Sequence, residues 1–127
     1  MIAVVTTVAG VFAVDLETGE AEPWDGALEP SPELVLNLPR VVAAASAGPT
    51  VVAVVDAKPP LLISYDAGST WRQSGRGLPA GRAVAVARDN PDVAVYAARN
   101  RLYVTRDGGV FWTGLDAELP EIRAVFL

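Results

Sequence analysis

Ser64-Tyr65-Asp66-Ala67-Gly68-Ser69-Thr70-Trp71 and Thr105-Arg106-Asp107-Gly108-Gly109-Val110-Phe111-Trp112 are the two stretches whose reading decides the fold. They match in register, with Asp66 and Asp107, Gly68 and Gly109, and Trp71 and Trp112 each 41 residues apart. Self-similarity at such a period marks a repeat architecture. The dipeptides Leu38-Pro39, Leu78-Pro79 and Leu119-Pro120 keep the same spacing, at 40 and 41 residues. After each of them an arginine, Arg40, Arg82 or Arg123, opens a run of small apolar residues. Three independent landmarks share one period.

Within a period the apolar runs are short, rich in Val and Ala, and bounded by Gly, Pro, Asn and Asp, the pattern of short strands joined by tight turns. No segment sustains helical spacing. The best-defined repeat predicts strands over Ala83 to Ala87, Val93 to Ala98, Leu102 to Thr105 and Val110 to Thr113. Its predecessor predicts them over Val41 to Ala45, Val51 to Val55, Leu61 to Tyr65 and Thr70 to Gln73. Four short antiparallel strands per repeat of this length describe a blade of a β-propeller.

Counted from the opening arginines, the repeats are 40–81 and 82–122, and the remaining 123–127 and 1–39 together make one more repeat of 44 residues. Its first strand is expected over Ile122 to Leu127, and the others over Ala3 to Thr7, Val11 to Asp15 and Glu20 to Trp24. The extra length falls in the Pro- and Glu-rich loop Pro23 to Glu33. The expectation is an all-β chain of 127 residues forming one domain of three blades, one of them split between the N- and C-termini. Propellers usually close with roughly four to eight blades, so three should not close alone. Two chains, each lending its C-terminal strand to the first blade of the other, would make a six-bladed homodimer and cover the open strand edges.

Composition sets the remaining limits. With no Cys and no His, disulfides, thiol chemistry, Cys/His zinc sites and imidazole catalysis are excluded, and no metal or other cofactor is expected. A net charge of −5 argues against nucleic-acid and membrane partners. The apolar opening Met1 to Val14 lacks the basic start of an export signal and reads as strands, so the chain is expected to be cytoplasmic.

The two opening stretches resemble the Asp-box of the BNR repeat, Ser-x-Asp-x-Gly-x-Thr-Trp. Ser64, Asp66, Gly68, Thr70 and Trp71 match it fully, and Thr105, Asp107, Gly109 and Trp112 match it with Phe111 in the threonine position. A weaker echo is Asp15-Leu16-Glu17-Thr18-Gly19, with Glu17 in the Asp position. The group includes sialidases, sortilin-type receptors, xyloglucan-active glycosidases and photosystem II assembly factors. The resemblance implies a propeller blade and says little about activity. In the family the box is structural: it sits on the turn between the third and fourth strands, away from the usual binding face. The physics agrees, because an Asp carboxylate accepts hydrogen bonds from turn N–H groups, a Gly takes positive φ, and the Trp rings pack between sheets.

Ligands of such propellers tend to bind at the mouth of the central channel. There the loops are expected to bring Arg40, Arg82 and Arg123 to equivalent places, with Lys58, Arg99 and Arg101 further out. A ring of arginines suits a carboxylate or phosphate by paired, charge-assisted hydrogen bonds; the simpler expectation is that each arginine pairs with an acid such as Glu121. The leading functional reading is a non-enzymatic binding or scaffold module with a protein, anionic or carbohydrate ligand. The alternative is a glycan-binding or sialidase-type hydrolase, for which Asp56 and Glu121 are the fallback carboxylates, although no spacing selects a catalytic pair. The segment Glu20 to Glu33 could contact a partner, though a Pro-rich acidic stretch is more often a solvated loop.

Overall fold

The structure, a computed structural model, describes residues 1–26, 28, 34 and 36–127. Its strands are β1 (Ile2–Thr7), β2 (Gly10–Asp15), β3 (Ala21–Pro23), β4 (Val41–Ala47), β5 (Thr50–Val55), β6 (Leu61–Ser64), β7 (Arg72–Ser74), β8 (Ala83–Val86), β9 (Ala94–Ala97), β10 (Leu102–Thr105), β11 (Thr113–Gly114) and β12 (Ile122–Phe126). They form three four-stranded antiparallel sheets. Blade I has the order β12-β1-β2-β3, blade II β4-β5-β6-β7 and blade III β8-β9-β10-β11. Of the loop expected over Pro23 to Glu33, residues 27 and 29–33 lie outside the described residues.

The N- and C-terminal strands therefore share one sheet, with Val4 opposite Phe126, Val5 opposite Val125 and Thr6 opposite Ala124. In the single chain this pairing is made within the chain itself.

The fourth strands begin later than the apolar pattern suggests: Arg72 and Thr113 open them, not Thr70 and Val110. The cause is the preceding turn. The backbone N–H of Thr70 donates to Asp66 Oδ1 at 2.8 Å, and that of Phe111 to Asp107 Oδ1 at 3.0 Å. Those residues are held by the carboxylates and are not free to join a ladder.

Blade III lies in the middle of an arc, its inner strand β8 packed on β4 of blade II and on β12 of blade I. The run Ala83-Val84-Ala85-Val86 shows how the sequence encodes this. Period-2 alternation sends Ala83 and Ala85 into the core shared with blade I, and Val84 and Val86 into the core shared with blade II. A strand covered on both faces reads as an unbroken apolar run. The first core joins Ala3, Val5, Val14 and Ile122 to Val95, Leu102 and Val104; the second joins Val52, Val54, Leu61 and Ile63 to Ala94 and Tyr96. Tyr96 is fully buried and satisfies its hydroxyl by donating to the Pro79 carbonyl at 2.6 Å. Burial pushes its pKa up to about 12. The Leu78-Pro79 landmark thus marks a segment that closes over this ring.

The blades are also clamped at their Asp-box turns. From blade II, the Tyr65 hydroxyl donates to the Gly108 carbonyl and the Ser74 hydroxyl to the Gly109 carbonyl, while Trp112 Nε1 donates back to Ser74 Oγ at 2.9 Å. From blade III, Arg106 Nη2 donates to the Leu16 carbonyl of blade I at 2.8 Å. Tyr65 and Arg106 hold the same place in their repeats, directly after the box Ser or Thr. Each reaches the turn of the following blade.

Candidate functional site

The inner strands β4, β8 and β12 line one wide cleft of about 1020 Å³. Its wall is built largely of Val and Ala, with Arg82 and Arg123 at one end and Arg88 at the other.

The register of the inner strands corrects the expected arginine ring. β12 carries a bulge between Thr6 and Thr7 of its partner, where Thr6 faces Ala124 and Thr7 faces Ile122, leaving Arg123 unpaired in the ladder. β4 does the same between Val41 and Ala43, leaving out Val42. In blade III the N–H of Arg82 donates to the Ala97 carbonyl at 2.8 Å, while Ala83 is the ladder partner of Ala97. Arg82, Arg123 and Val42 are thus the equivalent residues, and all three line the cleft. Arg40 stands two positions earlier, with a positive φ of 61°, and its carbonyl is taken by the N–H of Asp56 at 3.0 Å. It does not line the cleft. The ring is therefore an arginine pair.

Glu121 ties Arg82 to Arg99. Its Oε1 lies 3.2 Å from Arg82 Nη2 and 3.3 Å from Arg99 Nε. All three side chains are at least a third exposed, so these bridges orient more than they stabilise. Arg101 pairs with Glu118 at 3.5 Å. Lys58 is exposed on the turn after β5, and among the described residues neither it nor Arg123 makes an ion pair. Arg99, Arg101 and Lys58 lie outside the cleft lining.

The fallback carboxylates are not brought together. Glu121 is committed to two arginines at the start of β12 in blade I, and Asp56 is exposed at the end of β5 in blade II. Among the described residues no three acidic side chains gather as metal ligands.

The Asp-boxes are self-contained hydrogen-bond networks. Ser64 Oγ accepts from the Gly68 N–H at 2.8 Å and donates to Asp66 Oδ1 at 2.7 Å. Thr70 Oγ1 donates to Asp66 Oδ2 at 2.6 Å. Hydrogen bonds from Thr70, from both its hydroxyl and its N–H, and from Ser64 hold the Asp66 carboxyl down at about 2. In the second box Thr105 Oγ1 accepts from the Gly109 N–H at 2.9 Å and donates to Asp107 Oδ1 at 2.8 Å. Asp107 is lowered first by the N–H of Phe111 and then by Thr105. Gly68 and Gly109 take φ of 93° and 91°. Trp112 packs on the core between blades II and III, its ring set T-shaped 6.1 Å from that of Tyr96. Trp71 is half-buried and belongs to neither core.

The echo in blade I works differently from its expected register. Asp15, in the Ser64 place, accepts from the N–H groups of Glu17 at 2.8 Å and Thr18 at 3.2 Å, and these lower its pKa. Glu17, which aligns with Asp66, is not the turn's acceptor. One aspartate replaces the Ser-Asp pair.

Sequence reasoning passed over Arg88, because Gly48 fills that place in blade II and no repeat draws attention to it. It also gave no sign of the contacts of Tyr65, Ser74 and Tyr96, whose partners lie in another blade or another loop and leave no local pattern.

Comparison with known proteins supports the architecture. No protein-family model matches the chain, and no curated protein matches it. The structure of YCF48 bound to D1 peptide aligns with 93% of this chain and 38% of that one, at 24% identity and a TM-score of 0.54. The GH74 enzyme of Niastella koreensis aligns with 93% of this chain and 18% of that one, at 19% identity and a TM-score of 0.49. The chain thus spans less than two fifths of the length of either structure. Three four-stranded antiparallel sheets, one of them joining the N- and C-terminal strands, make this an all-β chain of propeller blades.

Proposed function

We propose that the chain is a non-enzymatic binding module whose cleft takes an anionic group of its ligand between Arg82 and Arg123. The observation that carries this reading is their placement. Both stand at the equivalent position at the start of the inner strands of neighbouring blades, both line the cleft, and Glu121, two residues before Arg123, pairs with Arg82 at 3.2 Å. Two guanidinium groups so arranged suit a carboxylate or phosphate, whose paired oxygens match the guanidinium fork. The apolar wall of Val and Ala beyond them suits an uncharged stretch of the same ligand. YCF48 holds a peptide in its own structure, so a short apolar peptide with a free C-terminal carboxylate is the first probe for this chain.

The test is a calorimetric titration of that peptide and of inorganic phosphate, with the C-terminally amidated peptide alongside. Loss of one charge-assisted contact is worth about 1.5 to 3 kcal/mol, so Arg82→Ala and Arg123→Ala should each weaken binding about tenfold or more. Arg40→Ala, outside the cleft, should leave it unchanged. Binding that survives both substitutions would refute the assignment.

A further inference from the structure

Among the described residues no other sheet packs on one face of blade I, and the repeat itself says what that face is built to meet. The face that blade II turns toward blade III carries Ala43, Ala45, Val52, Val54 and Ile63, three of them buried in the shared core and the two alanines packed against it. Strand pairing maps these residues onto Ala124, Phe126, Val4, Thr6 and Ala13 of blade I. Four of the five are apolar, and all but Ala13 are left partly open. Ile2 beside them is 50% exposed.

The complementary face is found by the same mapping. Blade III presents Val84, Val86, Ala94 and Trp112 to blade II, and the equivalents in blade II are Ala44, Ser46, Val51 and Trp71. Among the described residues Trp71 joins neither core. Blades I and II stand at opposite ends of the arc, with the cleft between them: Val4 and Phe126 line one wall, Ala44 and Ser46 the other.

Connection length points to how the gap is filled. Blade II reaches blade III through 8 residues, 75–82, and blade III reaches β12 through 7, 115–121. A step between neighbouring blades crosses three strand spacings, about 15 Å, which such lengths cover. Blade I leads to blade II through 17 residues, 24–40. In the single chain β3 and β4, the strands it joins, belong to blades at opposite ends of the arc, and Trp24, Leu28 and Leu34 line the cleft. They stand where a further blade would have to enter.

We propose that a second copy of this chain closes the ring by exchanging residues 1–23, so that β1, β2 and β3 of each copy pair with β12 of the other. Every contact between blade III and blade I is kept: those of β12 stay within the chain, and those of β1, β2 and β3 are now made between chains. The connection then joins adjacent blades and leaves the cleft. The open face of blade I packs on the Trp71 side of the blade II that follows it, which gives six blades with two-fold symmetry. Exchange of an identical element adds an interface while it keeps the old ones, the condition under which such dimers form at low cost. This assembly does not depend on the anion reading, which is settled by its own titration.

The chain has no cysteine, so introduced thiols report cleanly. Thr6→Cys with Ala124→Cys places two thiols on directly paired residues of β1 and β12. Native mass spectrometry of the unaltered chain should give twice the chain mass. After oxidation of the double variant, the covalent dimer should dominate a non-reducing gel. Val4→Cys with Phe126→Cys, a second paired set, should behave the same way and guards against misfolding of the first. A chain-mass particle overturns the proposal, and so does a dimer in which both variants form their bridge within one chain.

Discussion

Replacing Trp112 with alanine tests how the blades are held to one another. The ring is half-buried against the core of blades II and III, lies T-shaped at 6.1 Å and 65° from the Tyr96 ring, and donates from Nε1 to Ser74 Oγ at 2.9 Å. Full burial of a tryptophan would make its removal cost about 3 to 5 kcal/mol, and half-burial leaves roughly 2. The aromatic pair adds about 1 kcal/mol and the hydrogen bond about 1 more. Trp112→Ala should therefore lose about 3 to 4 kcal/mol in urea unfolding followed by far-ultraviolet circular dichroism, at an unchanged m-value. Trp112→Phe keeps most of the contact area and should lose about 1 to 2 kcal/mol. Ser74 links this ring to the Gly109 carbonyl, so a double-mutant cycle of Trp112→Phe with Ser74→Ala should show a coupling of about 1 kcal/mol. A loss below 1 kcal/mol for Trp112→Ala would mean that the two blades are not joined through this ring.

Two further outcomes follow from the box turns. The Asp66 carboxyl is held down to about 2 by hydrogen bonds from Thr70 and Ser64, so the stability it contributes is complete above the ordinary carboxylate range and is lost as pH falls toward 2. Acid unfolding of Asp66→Asn should be shallower over that window, and identical acid limbs for variant and parent would remove the network as its cause. In the first box Ala67 adopts φ 59°, where its counterpart in the second is Gly108 at 72°. Ala67→Gly should raise stability by about 0.5 to 1 kcal/mol and Gly108→Ala should lower it by a similar amount or more, read from the midpoints of urea curves. Equal effects of one sign would contradict the left-handed turn.

Much of the architecture was legible because each repeat states it independently. The box residues, the Leu-Pro dipeptides and the alternating apolar runs are local signals that recur at one spacing, and the sheets follow them. Strand limits were less legible where a side chain competes for the backbone: the carboxylates of Asp66 and Asp107 draw Thr70 and Phe111 into turns that apolar content alone would give to strands. The candidate site failed at one register step. Arg40 follows its Leu-Pro directly, whereas Arg82 and Arg123 follow theirs after two intervening residues, and a bulge leaves Val42, unpaired in the ladder, at the position that the other blades give to arginine. Sequence spacing alone does not reveal which residue a bulge expels. The contacts between blades, Tyr65 to Gly108, Ser74 to Trp112 and Arg106 to Leu16, join residues 38 to 90 positions apart and have no local signature.

The central claim is that one blade is built from both ends of the chain. It is tested most directly by nuclear Overhauser contacts between β12 and β1. Cross-peaks should link Val4 with Phe126 and Thr6 with Ala124, and the amide protons of β12 should exchange as slowly as those of β5. Absence of those cross-peaks, with β12 amides exchanging at the rate of a free peptide, would contradict the account.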